Sequence, residues 1–372
     1  MSGEYPFRHV EIPDLNRTES PEHVSTLLDY PEKKEDGTEY TVAWKKVSNE
    51  FGEVEVSEYQ QDASTKAIYY VPGIGGSIDK FKDKYLPQLL KKGYTVLIVH
   101  RNGSVIGKDA RTICSAERVN FGEQNGQDHI GSLPEYGYKE WTKELACALA
   151  DTGTNFDDIR VIGESFGGLI CIESMRALQQ ANHPVLQKVK NVVSATGKIG
   201  MPVEKDGIHW SDTRGKLAVF SSDGEQKQEK YSFEKIFSGY IQKNVLRIRD
   251  PKVIGQEHLD IMKQLYAPET KLPEVTYVHA MPFGEEFFSP MQGRELRKKI
   301  KTDGGKFVFI NDFTQKGTPA ERHGMPNLTA DTLLTWLEYE PKSNIETKTQ
   351  GEPGQPLEDA SISNIIKHTS QQ

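Results

Sequence analysis

The stretch DIRVIGESFGGLICIESMRAL, residues 158–178, decides the fold. In residues 159–162 three of the four side chains are β-branched and apolar, a composition that predicts a short buried strand. From Leu169 onward, apolar residues recur at the three- and four-residue spacing typical of an α-helix. Residues 163–168, with the sequence GESFGG, therefore form a very tight turn from a strand into a helix.

Ser165 stands at the centre of this turn, between Gly163 and Gly167. Glycine permits so sharp a turn because a side chain at either position would collide across it. The N-terminus of the following helix directs backbone N–H groups toward the serine. Such N–H groups would stabilise the oxyanion that forms when a serine nucleophile attacks a carbonyl. G-x-S-x-G alone is a common pattern. The flanking strand and helix and the third glycine, Gly168, favour catalytic use over a turn that only packs closely.

The bulk composition excludes several classes of protein. The 372 residues are 36% hydrophobic, enough for one large core or a core with an insertion. The net charge of -8 and the lack of a basic stripe argue against a nucleic-acid partner. Three cysteines without a CxxC or Cys/His spacing argue against a disulfide scaffold or a metal site. Without an apolar leader or a membrane-length apolar run, we expect a cytoplasmic protein with no membrane partner.

The chain divides into four predicted regions. Residues 1–39 are polar and proline-containing and predict an N-terminal arm, whereas 40–200 and 272–341 predict an α/β core. Residues 201–271 are polar and break the alternation of strands and helices, so we expect them to form a cap or lid. Residues 342–372 are rich in Pro, Gly, Ser, Thr and Gln, and predict a flexible C-terminal tail.

A second glycine-rich loop follows another predicted strand. Residues 67–71 and 94–99 are apolar strands, and an amphipathic helix between them predicts a parallel βαβ unit. The loop at 72–77, PGIGGS, lacks the lysine–serine pair and the GxGxxG spacing of phosphate-binding loops. It favours the alternative role, in which glycines let a backbone N–H approach a reacting carbonyl.

A serine nucleophile needs a base, and the base needs a carboxylate that orients it. The chain has carboxylates after the predicted strand 274–279, and His323 follows the last predicted core strand, 306–310. This order of serine, acid and histidine, each just beyond a strand, resembles the α/β-hydrolase superfamily over most of residues 40–341. The resemblance implies a three-layer α/β-hydrolase fold with a mostly parallel central sheet, helices on both faces and an inserted cap.

The resemblance also implies roles for individual side chains. Ser165 would be the nucleophile and His323 the base. Glu286 stands where the acid of this superfamily usually falls relative to the following proline, so it is preferred to Glu285. The two glutamates also fit a plain pair of solvated side chains, and Asp312 is a further candidate for the acid.

The same resemblance places an oxyanion hole at two backbone positions. One donor would be the N–H of Phe166, directly after the nucleophile. The other would come from the loop formed by Gly73, Ile74 and Gly75, with Ile74 preferred. Aromatic residues of the predicted cap would either contact the substrate or only attach the cap to the core. They are Trp210, Phe233, Phe237 and Tyr240.

These expectations describe a serine hydrolase that cleaves a carboxylic ester, lactone or thioester through an acyl-enzyme on Ser165. The substrate would be a small acyl compound, and no metal or organic cofactor is implied. The same triad would equally serve an acyltransferase, a cyclase or a peptidase. A non-catalytic protein that binds a small molecule on this fold is a further alternative. The sequence leaves the oligomeric state open.

Overall fold

The computed structural model of the protein describes most of the chain between residues 29 and 359. The described ranges are 29–33, 39–73, 78–102, 105–106, 111–113, 118–120, 136–197, 199, 203–205, 208–210, 217–220, 226–229, 251–282, 292–312, 325, 328–350 and 358–359. Within these ranges, eleven strands form one central sheet, and seven α-helices accompany it.

The strands of the central sheet and the helices have the following bounds. The strands are β1 (Asp29–Lys33), β2 (Glu39–Asn49), β3 (Gly52–Gln60), β4 (Lys66–Val71), β5 (Thr95–His100), β9 (Asp158–Glu164), β10 (Val189–Ala195), β15 (Thr276–Pro282), β16 (Lys306–Asp312), β17 (Ile345–Gln350) and β18 (Glu358–Asp359). The helices are α1 (Ile78–Lys84), α2 (Leu86–Lys91), α3 (Tyr138–Thr152), α4 (Phe166–Gln180), α5 (Pro251–Leu265), α6 (Gln292–Asp303) and α7 (Ala330–Leu337).

In the described part of the chain, seven short strands pair outside the central sheet. β6 (Val105–Ile106), β7 (Arg111–Ile113) and β8 (Arg118–Asn120), which follow β5 along the chain, form a three-stranded antiparallel sheet. Within the predicted cap, β11 (Val203–Lys205) pairs with β12 (Ile208–Trp210), and β13 (Leu217–Phe220) pairs with β14 (Gln226–Glu229).

The strand order of the central sheet is β1-β2-β3-β5-β4-β9-β10-β15-β16-β17-β18. β1, β2 and β3 are antiparallel to their neighbours, and β18 is antiparallel to β17. The six neighbouring pairs from β5 to β17 are parallel. This mostly parallel sheet, with helices on both faces, confirms the predicted three-layer α/β-hydrolase fold.

Burial on both faces of the sheet explains the sequence of its central strands. All six residues of β5 and five of the six in β4 are buried, so these strands are nearly continuous apolar runs rather than alternating ones. On one face, a core cluster includes residues of α3, α4, α5 and α6, such as Trp141 and Leu169. On the other face, a second cluster joins α1, α2 and α7 to the sheet through Phe81, Leu89 and Trp336.

Helix α5 lies within the range predicted to form a cap, yet it packs on the core. Ile261, Met262 and Leu265 belong to the same buried cluster as the apolar faces of α3 and α4. Residues 230–250, which precede this helix, lie outside the described part of the chain. The existence of a cap over the sheet therefore stays a prediction, and α5 is a helix of the core layer.

The C-terminal region differs from the predicted flexible tail. Residues Ile345–Gln350 form β17, which pairs in parallel with β16 from Phe307 to Asp312. The strand was missed because its sequence, IETKTQ, is mostly polar. The open edge of β16 offers backbone hydrogen bonds that do not depend on apolar side chains, and the carboxylate of Glu346 accepts hydrogen bonds from Tyr339 Oη and the Ser343 N–H.

A buried imidazole makes this core sensitive to acid. His279 of β15 is fully buried beside the ring of Phe309. It also contacts α6 so closely that a Cβ on Gly293 would lie 2.8 Å from the imidazole Cδ2. Burial lowers the pKa of His279 from 6.5 to about 4, against a smaller opposing effect from the backbone of Ser194.

We predict that replacing His279 removes part of the acid sensitivity of the fold. Between pH 6.5 and 4 the unfolded chain binds a proton at this imidazole and the folded chain does not, so stability is lost as the pH falls. Relative to His279→Leu, the free energy of unfolding of the wild type should decrease by at most ~1.4 kcal/mol per pH unit in this window. Urea unfolding at several pH values measures the difference, and parallel curves for the two proteins would contradict it.

Candidate active site

The predicted strand, turn and helix around Ser165 are confirmed. β9 ends at Glu164, α4 begins at Phe166, and Ser165 alone connects them. Its backbone has φ 53° and ψ -117°, a combination that residues other than glycine rarely adopt. Two hydrogen bonds hold it there, one from the Ser165 N–H to the oxygen of Ala195 (2.9 Å) and one from the Gly168 N–H to the oxygen of Ser165 (3.1 Å).

We call the tight turn of residues 163–168 the elbow. Its glycines are required because other backbone atoms approach them closely. A Cβ on Gly163 would lie 2.1 Å from the carbonyl oxygen of Gly167. A Cβ on Gly167 would lie 2.2 Å from the carbonyl oxygen of Val71, at the end of β4. A Cβ on Gly168 would lie 2.4 Å from Ser194 Oγ of β10. The elbow is therefore packed against the strands on both sides of β9, and no larger residue fits.

The loop after β4 comes close to Ser165. A Cβ on Gly73 would lie 3.1 Å from the Cβ of Ser165, so this glycine lies beside the serine. Phe166 is the first residue of α4, so its backbone N–H lies at the N-terminus of the helix. Ile74 and Gly75, the other predicted oxyanion positions, lie outside the described residues.

A buried arginine fixes the start of this loop. Arg101, directly after β5, donates from Nη2 to the carbonyl oxygen of Pro72 (2.7 Å) and lies 5.7 Å from the ring centroid of Trp141. Glu144 of α3 accepts a hydrogen bond from the Asn102 N–H (2.8 Å). Burial raises the pKa of Glu144 to about 8, although the positive charge of Arg101 opposes this shift.

A second carboxylate lies on the opposite side of the elbow. Glu164 Oε2 accepts a hydrogen bond from Tyr70 Oη (2.7 Å). Glu164 Oε1 accepts one from the N–H of Met325 (3.3 Å), a buried residue that precedes α7. The residue before Ser165 thus connects β9 to the segment between β16 and α7.

The remaining predicted triad residues cannot be placed. Glu285, Glu286 and His323 lie outside the described residues, so their roles stay predictions. The strands that lead to them end at Pro282 and Asp312, which are register partners in the parallel pair of β15 and β16. Both loops therefore leave the same edge of the sheet. Asp312, the further candidate for the acid, is itself fully buried at that edge.

Strand register relates this edge of the sheet to Ser165. Glu164, Ala195, Ala280 and Ile310 are successive register partners across β9, β10, β15 and β16. Ser165 follows directly beyond this row. With neighbouring strands about 4.8 Å apart, the row spans about 14 Å from β9 to β16. The loops after β15 and β16 must extend across this distance to reach the serine hydroxyl.

The predicted substrate contacts lie largely outside the described residues. Trp210 is the last residue of β12, and Phe233, Phe237 and Tyr240 fall in the undescribed range 230–250. In the described part of the chain, no group of three or more His, Cys, Asp or Glu residues could hold a metal ion. None of the helices described is both long enough and apolar enough to cross a membrane.

Three residues near the elbow were missed by the sequence analysis. Arg101 lies in the polar stretch after the predicted strand 94–99, where the sequence gives no sign that a charged side chain is buried. Glu164 was treated as an unspecified position of the G-x-S-x-G pattern. Glu144 gave a usable signal, because it falls on the apolar face of α3 between Trp141 and Leu145 and is buried there.

Comparison with known proteins finds only distant similarities. No family model and no curated protein matches this chain. An esterase from Pyrobaculum calidifontis has a TM-score of 0.45 and 13% identity, over 79% of this chain and 84% of that chain. An acylaminoacyl peptidase from Pyrococcus horikoshii has a TM-score of 0.45 and 12% identity, over 88% of this chain but only 44% of the peptidase. An esterase from Exiguobacterium antarcticum has a TM-score of 0.41 and 13% identity, over 71% and 89%. Strand order and the elbow establish the fold independently of these similarities.

We predict that Gly167→Ala destabilises the protein strongly. The added methyl group would meet the backbone of β4, which cannot move aside as a flexible side chain could. The expected loss is at least about 2–3 kcal/mol in the free energy of unfolding, measured in urea.

Gly304→Ala is the matched control for this prediction. Gly304 has φ +81° but no atom within 4 Å of an added Cβ, so its substitution introduces backbone strain without a collision. We expect a loss of about 1 kcal/mol for the control. Equal losses in the two variants would show that the close approach of Gly167 to β4 is not the limiting constraint.

Proposed function

We propose that this protein is a serine hydrolase that forms an acyl-enzyme on Ser165 and acts on a carboxylic ester, lactone or thioester. The observation that carries the proposal is the conformation of Ser165, a non-glycine residue held at φ 53° between a parallel strand and a helix N-terminus. Strained backbone of this kind persists where the surrounding structure enforces it, commonly at catalytic residues. The same turn presents the serine of α/β hydrolases to substrate.

The proposed oxyanion hole uses backbone donors from two elements. The N–H of Phe166 begins α4, where the helix dipole favours developing negative charge. The second donor is the N–H of Ile74, in the loop whose preceding residue, Gly73, lies beside Ser165. The buried guanidinium of Arg101 supports this assignment, because it fixes the carbonyl of Pro72 and thereby the start of the loop.

His323 is the proposed base, and Glu286 the proposed acid, with Glu285 and then Asp312 as alternatives. Support for His323 comes from Met325, whose N–H donates to the carboxylate of Glu164. Two residues of chain span at most about 7 Å, so the position of His323 is limited by that of Met325. The acid receives support only from the shared sheet edge at which the loops after β15 and β16 begin.

In the proposed reaction, Ser165 Oγ attacks the acyl carbonyl carbon while the imidazole of His323 takes the hydroxyl proton. The carbonyl oxygen becomes an oxyanion and accepts hydrogen bonds from the two backbone donors. As the tetrahedral intermediate collapses, His323 returns the proton to the leaving alkoxide or thiolate. Water then attacks the acyl-enzyme with the same proton transfers and releases the carboxylic acid and the free serine.

We predict that a fluorophosphonate forms one covalent adduct with the wild-type protein, detected as a single increase in intact mass. Ser165→Ala should give no adduct, and His323→Ala should react at least 100-fold more slowly, because its serine lacks a base. Ser48→Ala, which removes an exposed serine of β2, is the control and should react like the wild type. An unreactive, well-folded wild type would refute the proposed activity and direct the search to a bound small molecule.

The choice of acid is tested by three amide substitutions. Glu286→Gln should lower kcat/KM for p-nitrophenyl acetate roughly 10³–10⁴-fold, because the imidazole loses the carboxylate that sets its orientation and tautomer. Glu285→Gln and Asp312→Asn should each change this value by less than tenfold. A large loss in either of those variants, with little loss in Glu286→Gln, would transfer the role of the acid to that residue.

A further inference from the structure

Glu164, the last residue of β9, joins two parts of the chain that are far apart in sequence. Its carboxylate is half-buried and accepts one hydrogen bond from Tyr70 Oη and one from the N–H of Met325. Tyr70 belongs to β4, the neighbouring strand. One carboxylate oxygen of Glu164 therefore contacts the sheet, and the other contacts the segment before α7.

The backbone carbonyl of Met325 also has a partner in the core. Tyr85, between α1 and α2, contacts the carbonyl oxygen of Met325 through its hydroxyl and lies 3.3 Å from that of Leu328. The side chain of Met325 is buried in the cluster that joins α1, α2 and α7 to the sheet. Both backbone polar groups of this one residue therefore have partners contributed by the core.

The two tyrosines that serve this arrangement belong to one aromatic stack. The ring of Tyr70 stacks on that of Phe81 with centroids 3.8 Å apart and an interplanar angle of 5°. Phe81 in turn contacts the ring of Tyr85 at 5.6 Å. Burial raises the pKa of both tyrosines, so both hydroxyls remain protonated hydrogen-bond donors at neutral pH. The stack fixes the two hydroxyls relative to β9, which carries Ser165 at its end.

We propose that Glu164 is a positioning residue that fixes the His323-bearing segment beside Ser165 through its hydrogen bond to the Met325 N–H. This inference rests on the proposed function, in which His323 is the base. A carboxylate suits the task because a hydrogen bond to a carboxylate is stronger than one between two neutral groups. Glu164 does not touch the reacting atoms, and its effect passes along the chain through Gly324, the single residue between Met325 and His323.

A positioning role predicts a specific pattern among substitutions of Glu164. Glu164→Met keeps the length of the side chain but accepts no hydrogen bond from Met325. It should lower kcat for p-nitrophenyl acetate and the rate of fluorophosphonate labelling by roughly 10–100-fold, with KM changed less than threefold, because a displacement of about 1 Å in a catalytic group has an effect of this size. Glu164→Gln retains an oxygen for the Met325 N–H and an NH₂ group for Tyr70 Oη, so it should stay within about fivefold of the wild type.

The chain offers a matched control for the hydrogen bond itself. Tyr94 Oη donates to Glu338 Oε1 at 2.7 Å, the same distance as between Tyr70 and Glu164. Glu338→Met removes a comparable tyrosine–carboxylate contact at the C-terminus of α7 and should leave kcat and the labelling rate unchanged. Tyr85→Phe, which frees the carbonyl of Met325, should lower kcat in the same direction as Glu164→Met but to a smaller extent.

The outcomes separate this inference from the proposed function. A wild type that does not react with the fluorophosphonate would refute the function. A reactive wild type, together with a folded Glu164→Met variant that reacts at the same rate, would refute only the positioning role. Equal losses of kcat in Glu164→Gln and Glu164→Met would also refute it, because the amide retains the hydrogen bond to Met325. If Glu164→Met does not fold, an unchanged kcat in Tyr85→Phe would overturn the proposal instead.

Discussion

The structure around Ser165 depends on one close approach, in which the backbone of the elbow contacts the end of β4. Gly167 lies so near the carbonyl of Val71 that only a hydrogen atom fits between them, and Gly163 is equally close to Gly167. This contact forces the chain to leave β9 at a sharp angle. The strained backbone of Ser165 follows from it, at a cost of order 1–3 kcal/mol that the surrounding burial must offset.

The parallel sheet determines which segments can reach the serine. The neighbouring central-sheet strands β5, β4, β9, β10, β15 and β16 all have the same direction, so their carboxyl ends lie at one edge of the sheet. Register places Glu164, the last residue of β9, in the same row as Ile310 of β16, about 14 Å away. Strand β17 adds to the far side of β16, so the strand that leads into the His323 segment is internal to the sheet rather than an exposed edge.

Charged groups lie on both sides of the elbow, Arg101 buried and Glu164 half-buried, and each binds a backbone group of a neighbouring segment. Burial destabilises the charged guanidinium of Arg101, and the neighbouring Glu144 opposes this effect. The guanidinium donates a hydrogen bond to the carbonyl of Pro72. Glu164 receives the N–H of Met325. Ion pairs and carboxylates in such places contribute little to stability by themselves, because desolvation offsets their attraction. Their effect is on geometry, since Arg101 fixes the carbonyl of Pro72 and Glu164 fixes the N–H of Met325.

The sequence alone determined the strand, the helix and the elbow between them, because each depends on neighbours along the chain. A β-branched run predicts the strand, and helical spacing of apolar residues predicts the helix. Glycines around a serine predict the tight turn of residues 163–168. These patterns gave the fold class and the proposed nucleophile, Ser165. The tertiary structure alone decided which charged residues surround it. Glu164 and Met325 are 161 positions apart, and no local pattern records their contact. The same holds for β17, whose polar residues 345–350 become a strand only because the edge of β16 supplies hydrogen-bond partners.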